Sequence, residues 1–440
     1  MAREYKDSGI EWIGQIPKEW KVSRIKTIFS ERTELSENGD ETLLSVSEYY
    51  GVANRKEKIE DGDFVSRAES LVGYKKCYKG DLVSNIMLAW KGSLGVTDID
   101  GIVSPAYCVY QPSKEVFPHY YHYLFRTSLF TSIFRLYSKG IIDSRLRLYS
   151  PFFFAISTLI PPFSEQQKIA DYLDKVCGEI DEMVALQETM IEELKAYKQS
   201  VITEAVTKGL NPRSASPLGS SKNAPMRNSG IDWIGEIPKH WEVIKMRRCV
   251  ESIGDVDHYM PDSIETGIPY IMTRDLADRT SLINKDQCKQ ISYEDYVNLS
   301  RKIKLEKNDV IFARYASIGN VCYVDTDEEM IVSYSCVIIK PLPILSGLYL
   351  FYYLKSKTFE EEVLQFVNTN IQGNVGIDSL YKTKMMMPPL VEQRAIASYL
   401  DTKCSEIDSL IALKQAKIEE LKEYKKSVIY EYVTGKKEVV

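Results

Sequence analysis

The sequence predicts an α+β protein: two globular domains joined by two long helices that pair as an antiparallel coiled coil, the whole forming a pseudo-two-fold internal repeat. Three observations carry this expectation. "DSGIEWIGQIPKEW" at residues 7–20 returns as "NSGIDWIGEIPKHW" at residues 228–241, with 10 of 14 positions identical. "PPFSEQQKIADYLD" at residues 161–174 returns as "PPLVEQRAIASYLD" at residues 388–401, with 9 of 14 identical. "ELKAYKQSVITEAVTK" at residues 193–208 returns as "ELKEYKKSVIYEYVTG" at residues 420–435, with 11 of 16 identical. Ordered duplication on this scale defines an architecture before any single motif does.

The segments between these anchors, residues 21–160 and 242–387, are nearly equal in length and share only scattered matches, such as "GDLV" at Gly80 against "NDVI" at Asn308. Each reads as a mixed α+β domain. "VCYVDT" and "IVSYSCVIIK" have the β-branched alternation of strands, and Phe125, Leu129, Phe130, Ile133, Phe134 and Tyr137 fall on one face of an amphipathic helix. Between the halves, residues 209–230 are rich in Gly, Pro, Ser and Asn, the composition of a linker. The expected plan is a first domain at 1–160, a long helix at 161–209, a linker at 210–227, a second domain at 228–387, a second long helix at 388–435 and a tail at 436–440.

After each Pro-Pro pair the apolar residues recur every three to four positions without a proline. In the first copy Ile169, Val176, Met183, Met190 and Tyr197 make one seven-residue column, and Leu173, Ile180, Leu194 and Val201 its neighbour, which is a heptad seam. Ser164 with Gln167 reads as a capping box, absent from the second copy where Val391 replaces the serine, and Gly209 as the far cap. The second copy keeps Ile396, Leu400, Ile407, Leu410, Leu421, Tyr424 and Val428 on the same columns, so each helix is the natural partner of the other. Gln187 and Lys414 interrupt the seam at the two helix midpoints. They read either as register-setting polar residues or as solvated positions.

Composition narrows the functional classes. The chain of 440 residues has 44% hydrophobic and 27% charged residues, as in a globular protein. It carries no run of apolar residues long enough for a membrane and no signal-peptide pattern, so a cytoplasmic location is expected. The eight cysteines form no C-x-x-C pair and no cluster with the four histidines, and are expected to be reduced, buried thiols. The helical stretches 165–208 and 392–435 carry charges of −5 and −1, which together equal the −6 of the whole chain. The globular parts are therefore neutral overall, and an acidic total does not exclude a DNA-binding surface on them.

Catalytic motifs are missing. No G-x-x-x-x-G-K-[ST] loop occurs, "IPPF" at Ile160 lacks the polar residue of an amino-methyltransferase motif, "PDSIE" at Pro261 lacks a following lysine, and His119 with His122 lack a third ligand. No catalytic, cofactor or metal site is expected on this chain.

The strongest nucleic-acid signal is residues 125–149, where Arg126, Arg135, Lys139, Arg145 and Arg147 oppose one acid, Asp143, among aromatics. Such cations neutralise phosphates, and arginine can fork onto guanine. The aromatics are assigned to the core and "SKGIIDSR" to an exposed contact loop with Lys139, Ser144, Arg145 and Arg147. "AWKGSLG" adds Lys91 and Ser93. The counterparts in the second half are Arg314, Ser317 and Asn320 of "FARYASIGN", and Asn370, Gln372 and Asn374 of "NTNIQGNVG", whose amides suit adenine edges or phosphates, together with Arg274.

The duplicated "SGI-[ED]-WIG-x-IP-K-x-W" openings, the two unlike domains each closing on "PP-x-x-EQ", and the two long helices resemble the specificity subunit of type I restriction-modification systems over essentially the whole chain. That resemblance implies two target-recognition domains, each reading one half of a bipartite asymmetric site on double-stranded DNA. It also implies helices that set the half-site spacing, two modification subunits that use S-adenosylmethionine to methylate adenine, and ATP-dependent restriction subunits. Trp12 and Trp233 then belong to the repeated frame, packing against the helix ends. A coiled-coil scaffold that reads no DNA is the rival reading, and a fused fragment with its own catalysis a third.

Overall fold

The computed structural model describes residues 3–57, 70–210, 225–315, 318–366 and 374–439. They form two compact units, Met1–Glu188 with Ala416–Val440 and Thr189–Gln415, so the division runs through the middle of each long helix. Among the described residues no helix is long and apolar enough to cross a membrane.

In the first unit a four-stranded antiparallel sheet has the order Phe29–Arg32, Tyr107–Pro112, Leu82–Asn85, Leu94–Val96. Helices Pro118–Phe125, Ser128–Tyr137 and Ser150–Ala155 supply most of its aromatic core. Tyr120, Tyr121, Phe125, Phe130, Phe134 and Phe153 are fully buried there. The aromatics of residues 125–137 thus do go to the core, but not on the one helix expected: Phe125 ends Pro118–Phe125, and Phe130, Phe134 and Tyr137 lie on Ser128–Tyr137, which starts on a Thr127 cap whose hydroxyl accepts from the Phe130 N–H. A hairpin, Leu44–Ser47 with Gly51–Asn54, and the pair Lys75–Cys77 with Gly101–Val103 enclose a smaller core around Leu44, Val83 and Val109.

The second unit builds its sheet in the corresponding order: Val250–Gly254, Cys336–Pro341, Val310–Ala313, Val321–Tyr323. Helices Gly347–Leu354, Lys357–Leu364 and Ile377–Lys382 follow, as in the first unit. The unlike segments therefore share a scaffold that their sequences barely show. The additions differ. Here a three-stranded sheet, Lys289–Ile291, Ile268–Ile271 and Ile331–Val332, whose last pair is parallel, packs with helix Tyr293–Ser300 around its own core.

The long helices are Phe163–Lys208 and Leu390–Val433. Each starts directly after its Pro-Pro pair, with two N–H groups donating to the second proline carbonyl: Glu165 and Gln166 to Pro162, Glu392 and Gln393 to Pro389. The expected Ser164–Gln167 box is therefore not the cap. Ser164 already lies inside the helix, and Val391 at its counterpart changes nothing. What the repeated "EQ" contributes is a fully buried glutamine. Gln166 accepts from the Phe117 N–H at 2.8 Å and donates to Glu115 O and Pro161 O at 3.2 and 2.8 Å. Gln393 repeats this with Ser346 N at 2.9 Å and Ile344 O and Pro388 O at 3.0 and 2.9 Å. A buried amide with its partners satisfied fixes where each domain meets its helix. The far ends close on Gly209 and Gly435, both with positive φ as an αL cap requires.

The seam is half as expected. Leu173, Ile180, Leu194 and Val201 do face inward, but Met183 and Tyr197 of the other proposed column are exposed. Ile169 of that column is buried and Val176 and Met190 half-buried, while Cys177, Val184, Ile191, Lys198 and Ala205 form the inward column beside it, mirrored by Cys404, Ile411, Ile418 and Lys425. In the second helix the expected Ile396, Leu400, Ile407, Leu421 and Val428 do face inward. Leu410 and Tyr424 are likewise outside. All eight cysteines are buried and free, as expected of thiols that pack as small apolar groups. Gln187 and Lys414 sit half-buried at seam positions, but the described charged contacts that fix register lie elsewhere. In the first unit Lys425 Nζ binds both oxygens of Asp181 at 2.7 Å, and in the second Lys198 Nζ binds both of Asp408 at 2.7 Å. Within the first unit, going from Tyr172 forward to Asp181 on one helix moves back from Tyr432 to Lys425 on the other, so the pairing is antiparallel.

The repeated opening motif ends on Trp20 and Trp241, both buried. Trp20 Nε1 donates to Glu165 Oε2 at 2.9 Å, beneath the Arg3 guanidinium. Glu392 occupies the equivalent place but takes His240 at 2.9 Å, and Trp241 Nε1 has no partner among the described residues. Trp20→Phe removes a made hydrogen bond and Trp241→Phe an unmade one. The first is expected to cost about 1–2 kcal/mol more in denaturant titrations. Equal costs would contradict the assigned indole partners.

Candidate nucleic-acid interface

At one end of each four-stranded sheet two loops are stitched together by the same backbone bond. In the first unit the chain leaves Leu82–Asn85 through the turn Ala89–Lys91 and returns as Leu94–Val96. Residues 138–149 lie beside that turn, with Leu148 N donating to Ile86 O at 2.9 Å. In the second unit Val375 N donates to Arg314 O at 3.2 Å, joining the loop after Val310–Ala313 to the segment before Ile377–Lys382. The loops after Leu82–Asn85 and Val310–Ala313 therefore correspond, as do Arg147–Tyr149 and Asn374–Gly376, the described end of "NTNIQGNVG".

The first unit presents cations on this end. Trp90 has Lys91 Nζ 5.2 Å and the Arg135 guanidinium 5.0 Å from its ring, a cation–π platform that the sequence reading did not single out. Arg135 also pairs with Asp143 at 2.8 Å. Lys139 is exposed and lies 4.8 Å from the Phe152 ring. Lys91, Lys139 and Arg145 are exposed and have no carboxylate partner among the described residues. Ser144 is exposed beside them.

Two expected contacts are turned inward instead. Arg147 spends its guanidinium on the carbonyls of Ser144 and Leu146, at 3.1 and 2.8 Å, and braces the loop. Ser93 is buried, its hydroxyl donating to Val46 O at 3.1 Å. Arg126, counted in the sequence among the phosphate-neutralising cations, is a clamp. Its Nη1 donates to Ser47 O, Gly92 O and Leu94 O at 3.2, 3.1 and 3.0 Å, and its Nη2 to Glu48 O and Tyr49 O at 2.9 Å each. The guanidinium thus ties the tip of the Leu44–Ser47/Gly51–Asn54 hairpin to the Ala89–Lys91 turn, and burial lowers its pKa. His122 beside it is neutral: burial, then the charges of Arg126 and His119, pushes it down to about 3, and its Nδ1 accepts the Val96 N–H at 3.2 Å.

In the second unit Arg314 is also a correction. It is buried, its Nη2 donates to Asp255 Oδ2, and its guanidinium lies 4.6 Å from the Tyr315 ring. Asp255 is an anchor: it also takes Lys302 at 2.6 Å and His258 at 3.3 Å, and His258 stacks on Tyr334 at 4.9 Å. Burial alone would raise the Asp255 carboxyl. Hydrogen bonds from Lys302 and His258 and the charge of Arg314 outweigh it, and the group sits below its ordinary range. Arg274 is exposed, 3.5 Å from Asp275, and Asn320 is exposed. Asn374 is half-buried and bridges Tyr315. Ser317, Asn370 and Gln372 lie outside the described residues. Trp12 and Trp233 are 37% and 41% exposed; Trp12 meets the Phe130 edge at 5.8 Å, and Trp233 lines a 610 Å³ hollow with Ala196, Thr203 and Thr207 of the first long helix.

Comparison with known proteins agrees with this duplicated arrangement. The profile of the type I restriction modification DNA specificity domain matches residues 17–196 and again 241–423. The type I restriction enzyme MjaVIII specificity subunit of Methanocaldococcus jannaschii is 24% identical over 446 residues, covering 96% of this chain and 94% of that one. The EcoBI specificity subunit of Escherichia coli is 23% identical over 255 residues, 57% of this chain and 52% of that one. Among solved structures, a chain from a study of complex assembly and conformational transition of the type I R-M system superposes with a TM-score of 0.70 at 16% identity, covering 95% of this chain and 98% of that one. The HsdS subunit from Thermoanaerobacter tengcongensis gives 0.53 at 17% identity, covering 96% and 98%. With the specificity profile matched in both halves, the chain belongs to the type I restriction-modification specificity subunit family.

Proposed function

We propose that this chain is the DNA sequence-recognition subunit of a type I restriction-modification complex, and that each unit reads one half of a bipartite, asymmetric site on double-stranded DNA. The observation that carries the reading is the pair of loop ends. One scaffold, built twice, holds unlike side chains at the same place, which is what reading two unlike half-sites with one frame requires. A scaffold that only holds proteins has no use for that difference.

The family places the chain as the recognition component. The finer division of labour is our proposal: methyl transfer belongs to two modification subunits that bind S-adenosylmethionine, and translocation and cleavage to ATP-dependent restriction subunits. The near-identical opening motifs and helix starts provide two equivalent docking platforms. The paired helices set the half-site spacing. Of the candidate contacts, we assign DNA binding to Lys91, Lys139, Ser144 and Arg145 in the first unit and to Arg274, Asn320 and Asn374 in the second, a choice supported by the exposure of all but the half-buried Asn374. Arg147 and Arg314 act by holding their loops.

Arg145 has no competing carboxylate among the described residues. Arg145→Ala is expected to weaken binding of the assembled complex by about 1–3 kcal/mol, through the first half-site alone. The check is a binding titration against duplexes altered in one half-site at a time. A loss independent of first-half sequence would make Arg145 a phosphate contact instead of a base reader.

A further inference from the structure

We infer that Ile141 and Ile142 form an apolar wedge that enters a base step of the DNA bound by the first unit, a role that rests on the recognition reading above. Ile141 is 100% exposed and Ile142 54%, at the tip of a loop that is otherwise tightly built. The neck is closed by two backbone bonds, Lys139 N to Arg147 O and Arg147 N to Lys139 O, both 2.9 Å. Asp143–Arg145 is a 3₁₀ turn, braced by the Arg147 guanidinium and tied to Arg135 through Asp143. Gly140 has φ +153°, and a Cβ there would lie 2.5 Å from Arg145 O, so only glycine fits at that point of the neck.

The exposure is therefore imposed by a fixed loop and not by slack chain. A single exposed isoleucine is ordinary on a protein surface. Two adjacent ones, held at a rigid tip between the exposed Lys139 and Arg145, are placed differently. Lys139 on one side can take a phosphate of the step and Arg145 on the other can reach an adjoining base edge, and the largest apolar surface of the duplex between them is the face of a stacked base. Branched aliphatic side chains inserted there unstack the step and kink the duplex. Recognition at that step would then include its deformability as well as its base edges.

The test uses the full chain assembled with its modification subunits and duplexes carrying its methylation site, with 2-aminopurine placed in turn at each position of the first half-site except the methylated adenine. The wild-type complex is expected to raise the probe's fluorescence at one step. The double variant Ile141→Ser/Ile142→Ser should lose that rise and bind at least about tenfold more weakly, with the second half-site preference kept. Ile141→Leu/Ile142→Leu should retain both. No fluorescent step in the wild type, or a step that survives the serine variant, overturns the wedge; weaker binding without any fluorescent step would mean that the isoleucines touch only groove-exposed methyl groups. If the wild-type complex shows no preference for its own first half-site, the recognition reading itself fails, which is a separate result.

Discussion

Arg126→Met is expected to destabilise the first unit by about 3 kcal/mol or more and to abolish discrimination at its half-site. The guanidinium donates to five backbone carbonyls drawn from residues 47–49 and from Gly92 and Leu94. Hydrogen bonds from a charged donor are individually worth more than neutral ones, and removing the donor leaves several partly buried acceptors unpaired. Methionine keeps the stem and loses the fork. Lysine keeps the charge but offers one point where five carbonyls converge from two segments, so Arg126→Lys should rescue only partly. Denaturant titration gives the stability term. Hydrogen exchange gives its place: faster exchange is expected at residues 44–54 and 86–94, with the second unit unchanged. Wild-type exchange at both segments in Arg126→Met would show that the clamp is not what holds them.

Removing residues 186–192 and 414–420 together is expected to change the spacing between the two half-sites. Each deletion takes out one heptad, so the seam stays in phase. It also leaves Asp181–Lys425 and Lys198–Asp408 in register with each other. Seven residues of helix are about 10 Å, or about three base pairs at about 3.4 Å each. Mapping methylation in cells carrying the shortened chain should therefore return the same two half-sites with a shorter spacer. The original spacer in an active shortened complex would mean that the helices do not set the distance. Reversing one ion pair, Lys198→Asp with Asp408→Lys, should be tolerated where either single change is not.

Much of this frame is legible in the sequence because it is written twice. The two helices, the Gly209 end of the first, the buried thiols and the aromatic core of residues 125–137 follow from the sequence pattern alone. The choice of the second seam column does not. Met183, Met190 and Tyr197 recur at the same seven-residue spacing as Val184, Ile191 and Lys198 beside them, so spacing does not say which of the two neighbouring columns turns inward. The common sheet order of the two domains is hidden for a related reason: a buried strand such as Leu82–Asn85 or Val310–Ala313 needs only apolar side chains, and many combinations fill it. The site was less legible still. Arg314 looks like a free cation until Asp255, 59 residues earlier, is folded against it, and Arg126 looks like a phosphate contact until five carbonyls surround it. A cation's partners are set by tertiary structure, which residue type does not record. The repeated "EQ" was a signal that could have been read further, since a glutamine kept at the same place in both copies marks a built amide site.

The most direct test of the central claim is methylome sequencing of cells that express this chain with its modification subunit, set against cells with the modification subunit alone. The account predicts methylated adenines in a split, asymmetric motif that appears only when this chain is present. An assembled complex that adds no methylation, or one whose motif is the same without this chain, would contradict it.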